Sequence, residues 1–300
     1  MSISKQAIYQ ARKRQLNFDT ELMDLITQAD ILREEHPGCG VEKMYKTLKP
    51  QHLGRDKFCE IFMDLGYRIR TIKNYRRTTI PTHLNYPNLI EGMMVTRPCQ
   101  VLQSDITYFD IEGVFYYLVF IIDVYTREIL GYNVSNNMRK ESNIKALKMA
   151  LKQVNPSEAK EMIHHSDRGS QYGSTAYKRI LRDAGIKLSM GMKAQDNAFA
   201  ERVNGTIKNE YLNLWHINNL RNLQVKTKKA VEHYNTKRQH DNLKGKTPKE
   251  FKSYVLNLNT QKRPMAIIYA DGNYKVKVAL SHHDFTPKKV PQAHNCPIEL

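Results

Sequence analysis

Three hundred residues, 41% of them apolar, can bury a core divided over two or three units, which sets the chain apart from disordered proteins. A formal charge of +17 points to a polyanionic partner, and nucleic acid ranks ahead of a membrane because no basic amphipathic helix with an aromatic face occurs. There is no run of about 18 apolar residues and no apolar leader, so the expected location is the cytoplasm, on the nucleoid, without membrane contact.

From residue 18 the apolar side chains of Leu22, Leu25, Ile26, Ala29 and Leu32 follow a helical period that stops at His36-Pro37-Gly38. Two shorter helices are expected over residues 41–48 and 55–65, the latter with Phe58, Ile61, Phe62 and Leu65 on one face and Arg55 and Lys57 off it. Residues 67–77 then hold five cations, two tyrosines and no acid. Short helices joined by Gly and Pro turns and followed by a basic segment suit a helix-turn-helix DNA-binding region over residues 1–77, with Arg55, Lys57, Arg68 and Arg70 as DNA contacts. A small helical bundle without DNA contact has the same pattern. Residues 78–98 carry three prolines and no sustained period, and are expected to form a linker.

A second domain is expected over residues 99–256. Residues 101–111, 114–123 and 128–134 are rich in Val, Ile, Phe and Tyr, and the breaks at Glu112-Gly113 and Tyr125-Thr126-Arg127 make them a three-strand antiparallel meander. A helical stripe (Ile144, Leu147, Leu151, Val154), a strand at 161–165, a helix at 174–184 and a strand at 187–190 complete an α/β mixed sheet with flanking helices. Beyond residue 197 the chain reads as mostly helical, and Thr247-Pro248-Lys249-Glu250 has the form of a capping box. Residues 257–300 are expected to form a hairpin around Asp271-Gly272 and a tail.

Cys39, Cys59, Cys99 and Cys296 lie far apart and read as reduced packing residues, and the pairs His164-His165 and His282-His283 lack the spacing of zinc ligands. Acids are more informative. Asp105 lies inside a strand, on the face shared with Gln103 and Thr107, where an unpaired charge costs several kcal/mol unless a cation neutralises it. Asp167 closes a neighbouring strand, and strand ends of an α/β sheet border a ligand crevice. Along residues 196–212, Phe199, Val203 and Ile207 share one helix face while Glu201, Gly205 and Lys208 occupy the other, so Glu201 and Lys208 can look into that crevice together. Oxygen-only ligands suit Mg²⁺ or Mn²⁺, and two such ions can promote in-line phosphodiester displacement. Asp110, Asp123, Asp183 and Asp196 compete for these roles, with Asp123 set lower because Arg127 offers it a structural partner.

The motifs SDITY, IDVYTREILGY, HSDRGSQY, DNAFAERVNGTIKNE and YNTKRQHDNLKGKTPKEF, in this order over residues 98–251, resemble those of bacterial insertion-sequence transposases with an integrase-like Asp-Asp-Glu core encoded in a second reading frame. The resemblance implies a ribonuclease-H-like fold, Asp105, Asp167 and Glu201 as the catalytic and metal-binding triad, and two Mg²⁺ or Mn²⁺ ions. It makes Lys208 a DNA contact, with Asn204, Arg168 and Lys193 beside it. It also implies cleavage at element ends followed by strand transfer, with no covalent enzyme–DNA intermediate. The partners implied are double-stranded DNA, as terminal inverted repeats and as target, other copies of the chain assembled on it, and an upstream-frame product as fusion or companion. The 33 residues between Asp167 and Glu201 fall a little short of the family's usual interval, a shortening placed in residues 191–195, and Leu102 stands where many relatives carry Trp. The alternatives are a non-catalytic DNA-binding regulator or inactivated transposase, using Arg55, Lys57, Arg68, Arg70, Arg76 and Arg77, and a structure-selective nuclease on the same fold.

Overall fold

The computed structural model describes residues 4–69, 86–191 and 194–268. Three helices lead: α1 (Lys5–Glu35), α2 (Val41–Leu48) and α3 (Arg55–Asp64). α1 starts well before residue 18, capped by the Ser4 hydroxyl, which accepts from the Ala7 N–H at 3.2 Å. Its first half carries exposed Ile8, Tyr9 and Leu16, which explains why no apolar stripe announces it. The second half packs with α2 and α3 around Ala29, Met44, Phe58 and Phe62, and the two phenylalanines, one turn apart, stack at 4.1 Å. Leu65, expected on the apolar face of α3, lies past the end of that helix and is exposed.

Strand β1 (Met94–Val95) precedes the central sheet, built from β2 (Val101–Ile111), β3 (Val114–Asp123), β4 (Ile129–Ser135), β5 (Ile163–Ser166) and β6 (Lys187–Met190). Its order is β4-β3-β2-β5-β6; the first three strands run antiparallel to their neighbours, and β5 and β6 join in parallel. Glu112 and Gly113 form a two-residue hairpin turn with both φ angles positive (50° and 85°), the geometry whose twist matches the flanking strands. Between the strands of the sheet lie α4 (Lys140–Leu151), the short α5 (Pro156–Ala159) and α6 (Thr175–Asp183); α7 (Ala198–Glu210), α8 (Leu220–Thr236) and α9 (Pro248–Leu256) follow it. The capping box at α9 is formed, with Thr247 and Glu250 bonded reciprocally. Residues Ala266–Ile267 (β7) pair antiparallel with β1; the expected hairpin around Asp271-Gly272 lies outside the described residues.

Strand alternation divides the core in two. Leu102, Ile106, Val119 and Ile121 pack beneath α4 and α6 with Leu147, Tyr177 and Leu181. On the opposite face Val101, Phe109, Leu118 and Phe120 pack against α7, α8 and α9 through Phe199, Val203, Ile207, Val231 and Phe251. Gly131 is where α4 presses closest: a Cβ there would lie 2.1 Å from the Ala146 carbonyl oxygen. Leu102 is fully buried in its layer, a packing role. His164 and His165 are buried in β5, bonded to the Tyr177 hydroxyl (2.9 Å) and the Ser189 hydroxyl (2.8 Å), and Cys39, Cys59 and Cys99 are free thiols. Among the described residues no helix is long and apolar enough to cross a membrane.

Candidate active site

Asp105 sits mid-way along β2 opposite Phe120, on the face turned to α7. Asp167 follows the last residue of β5, which runs parallel to β2 up to the Ser104–Ser166 pair, so the two acids stand at the same level of adjacent strands. The Asp167 carboxylate accepts the Gly169 N–H at 3.0 Å, which folds Asp167-Arg168-Gly169 into a tight turn. Glu201 lies in the first turn of α7, where Phe199, Val203 and Ile207 are buried while Glu201 is exposed along the crevice. A Cβ at Gly205 would meet nothing within 4 Å, so the helix surface beside Glu201 is open.

The three acids act on one another electrostatically. Burial pushes the Asp105 carboxyl up to about 8, and the charges of Asp167 and Glu201 reinforce the shift against hydrogen bonds from the Ile106 backbone and Asn204. Glu201 is raised as well, by the surrounding protein and then by Asp167. Among the described residues no three Asp, Glu, His or Cys side chains close on one point as metal ligands do, while the three acids lie near enough to shift the titration of Asp105. The donor set, oxygen-only and mutually repelling, fits a hard divalent cation.

Other residues place the acids, and sequence reasoning missed them. Gln103 is fully buried; its Oε1 accepts the N–H groups of Phe199 (3.2 Å) and Ala200 (3.3 Å), and its Nε2 donates to the Asp196 carbonyl at 3.0 Å. A strand side chain two residues before Asp105 thereby caps the first turn of α7 and fixes the backbone directly ahead of Glu201. Asn197 donates to the Ser104 carbonyl at 3.0 Å, and the Ser104 and Tyr172 hydroxyls are 2.9 Å apart. The signal available in sequence was a buried-face Gln two residues before Asp105 and an Asn at a helix start.

Asn204, expected as a DNA contact, is 5% exposed and donates its amide to Asp105 Oδ2 at 2.8 Å. It faces the sheet because it lies on the inner half of α7. Lys208 does reach the crevice: its Nζ donates to Thr107 Oγ1 at 3.3 Å and lies 4.7 Å from the Tyr108 ring centre, and burial lowers its pKa. Arg168 flanks Asp167, half-buried. Arg55, Lys57 and Arg68 are exposed on the N-terminal helices, the first two paired with Asp56 (2.8 Å) and Glu60 (3.0 Å). Arg70 and Lys193 lie outside the described residues, as do Arg76 and Arg77. Among the competing acids, Asp110 accepts the Gly113 N–H in the hairpin turn and Asp183 pairs with Arg179. Asp123, only 1% exposed, is held by the Tyr125 and Thr126 N–H groups and the Thr126 hydroxyl (2.6 Å), not by the guanidinium of Arg127, which lies over Phe199.

A mixed sheet of three antiparallel and two parallel strands, flanked by helices on both faces, is a ribonuclease-H-like core. The integrase core domain family matches residues 95–195, and a second integrase core domain family matches residues 182–248. The chain is 37% identical over 207 residues to the 31 kDa protein of insertion element IS600 from Shigella sonnei, covering 67% of this chain and 75% of that protein. It is 34% identical over 186 residues to the transposase of insertion sequence element IS904 from Lactococcus lactis, covering 61% of this chain and 72% of that one. Among solved structures, the HTLV-2 integrase catalytic core domain in complex with magnesium aligns with 52% of this chain and 97% of its own at 20% identity and a TM-score of 0.42. The chain belongs to the insertion-sequence transposases that carry an integrase core domain.

Proposed function

We propose that this protein cuts DNA at the ends of an insertion element and transfers the freed 3′-hydroxyl to a second phosphodiester, with Asp105, Asp167 and Glu201 as the metal-binding catalytic triad. The observation that carries the reading is the Asp105 carboxyl, driven up to about 8 by burial and by the two other acids, which marks a site built to receive cationic charge. Mg²⁺ or Mn²⁺ bound there supplies an activated oxygen nucleophile and stabilisation of the leaving oxygen. The chain's own residues do the rest. Asn204 fixes the orientation of Asp105, Gln103 holds α7 in register with β2, and Gly205 leaves room for a DNA strand to approach. Lys208, anchored by Thr107, offers its ammonium to a backbone phosphate.

The N-terminal helices, as a helix-turn-helix region exposing Arg55, Lys57 and Arg68, recognise the terminal inverted repeats, and two or more copies assemble on paired ends. An upstream-frame product joins as fusion or companion. The test is strand cleavage of duplex DNA carrying the element's ends, with Mg²⁺ or Mn²⁺. Asp167→Ala should lose cleavage and keep DNA binding. Normal cutting by that variant would overturn the mechanism, and binding without cutting by the wild type would favour a regulator.

A further inference from the structure

Arg127 is a guanidinium with an unanswered donor. It sits in the β3–β4 connection with φ +65°, its backbone N–H bonded to the Asp123 carbonyl at 2.8 Å, and it is 7% exposed. Its planar group lies 3.9 Å from the Phe199 ring centre, which accounts for its face but not for its edge. Among the described residues it forms no ion pair, and its buried Nη1 has no hydrogen-bond partner. Burial drives its pKa down to about 10.

Arg127 itself, through the small part of it that is exposed, lines a cavity of about 250 Å³ at the seam between the N-terminal helices and the core. Lys43, Arg202 and Arg238 also line it, with Thr206 and Tyr234 as hydroxyl-bearing walls. Arg238 is engaged by Glu210, and the acid at the rim, Asp241, is engaged by Lys46 at 3.0 Å. Arg202, exposed and without an ion pair among the described residues, follows Glu201 directly in α7, so about 100° of helix separates the acid at the crevice from the cation at the cavity.

We infer that this cavity is a phosphate-binding pocket in which the guanidinium of Arg127 and the exposed charge of Arg202 hold one phosphate group. Its occupant is a backbone phosphodiester of the DNA, because cations line the cavity and one of them, Arg202, directly follows Glu201 in α7; this identity of the occupant rests on the DNA-processing reading above. Free phosphate shares the chemistry and is separated by experiment. Lys43, already held by Glu210 at 3.1 Å, forms the α2 side of the pocket wall.

The test uses the full chain in EDTA, which keeps it independent of cleavage. Binding of a labelled duplex is followed by anisotropy over a salt series for wild type, Arg202→Ala, Arg127→Gln and the double variant, with Tm as the check on folding. Each single variant should lower the slope of log affinity against log salt by about one, and the double variant by about one and not two, since both arginines serve the same phosphate. Should Arg127→Gln fail to fold, Arg202→Ala and the charge-reversing Arg202→Glu carry the comparison. An unchanged slope and affinity in folded Arg202→Ala and Arg202→Glu would overturn the pocket. In a second arm, inorganic phosphate is compared with chloride at equal ionic strength; a Tm gain in wild type that the variants lack, with DNA slopes unaltered, would overturn DNA as the occupant. Loss of the slope change leaves the triad reading standing, and normal cutting by Asp167→Ala leaves the pocket standing.

Discussion

Helix α7 carries an acid near each end, and the two live under opposite conditions. Glu201, at the first turn, joins Asp105 and Asp167 in a group where burial first, and then the neighbouring charges, push Asp105 and Glu201 upward. Glu210, at the last turn, is locked at the seam with the N-terminal helices: Arg238 grips both of its oxygens (2.7 and 2.8 Å), His36 donates at 2.8 Å and Lys43 at 3.1 Å. Burial alone would raise the Glu210 carboxyl; the hydrogen bonds of Arg238 and His36 and the charges of Arg238 and Lys43 override it and leave the group well below the usual carboxylate range. The backbone follows the same clamp, with the Gly38 N–H donating to the Glu210 carbonyl at 2.7 Å, and a Cβ on Gly38 would lie 2.4 Å from the Glu210 Cα. The difference separates function from architecture. An acid whose charge the chain answers holds two parts of the molecule together, whereas acids left to repel one another define a place for something the chain does not itself provide.

The contrast can be broken at either end of the helix. Asp105→Asn should cut strand cleavage on the order of a thousandfold or more, the several kcal/mol at stake when a metal ligand is lost, while leaving the Tm unchanged or higher because a crowded carboxyl has been neutralised. A marked fall in Tm would mean that Asp105 is structural. Glu210→Gln should do the reverse, costing about 3–5 kcal/mol in denaturant unfolding as Arg238 loses its buried partner, and speeding proteolysis of α1 to α3 relative to the core. Stability equal to wild type would remove Glu210 from its place as clamp.

Acid titration of the fold should give the smallest effect. Burial holds His36 below its ordinary value despite Glu210, and burial with the charge of His36 holds His233 down at about 4, so both stay neutral in the fold while the unfolded chain takes up protons below about 6.5. The unfolded state then binds more protons, and stability falls as pH drops from about 6.5 to about 4. Glu210 acts in the same direction at lower pH, its stabilisation present above about 4.5 and lost as pH falls toward its depressed value. Asp105, held up at about 8, works in the opposite sense over this window, so the histidine contribution is read as a difference: the Tm of His233→Gln should fall less than that of wild type between pH 6.5 and 4, and Glu210→Gln should flatten the lower part of the curve; an identical pH dependence in His233→Gln would contradict the burial of His233.

What the sequence made legible was local. Runs rich in Val, Ile, Phe and Tyr, with the break between them, gave β2 and β3 their residue limits, and a 3.6-residue period separated the buried Phe199, Val203 and Ile207 from Glu201 and Lys208. What stayed hidden was polar and long-range. His36 and Glu210 are 174 positions apart, and a charged residue in a basic chain reads as surface until its partners arrive from elsewhere. The bond of Asn204 to Asp105 was hidden for the same reason: an amide facing a carboxylate 99 positions away leaves no trace in periodicity. The first half of α1 escaped notice because it buries no face.

Pairing on both edges of β2 has a consequence for how such a chain can change over time. From Leu102 to Ser104 the strand is bonded to β3 on one side and β5 on the other, and Asp105 comes next. Adding or deleting one residue in that stretch would rotate the acid to the opposite face, beneath α4 and α6, whereas many swaps of side chain would leave its direction intact. The connection before α7 is under no such rule, since Gln103 anchors the helix start at Phe199 and Ala200 whatever the path leading there. Insertions and deletions belong in that connection, and the strand tolerates only substitutions.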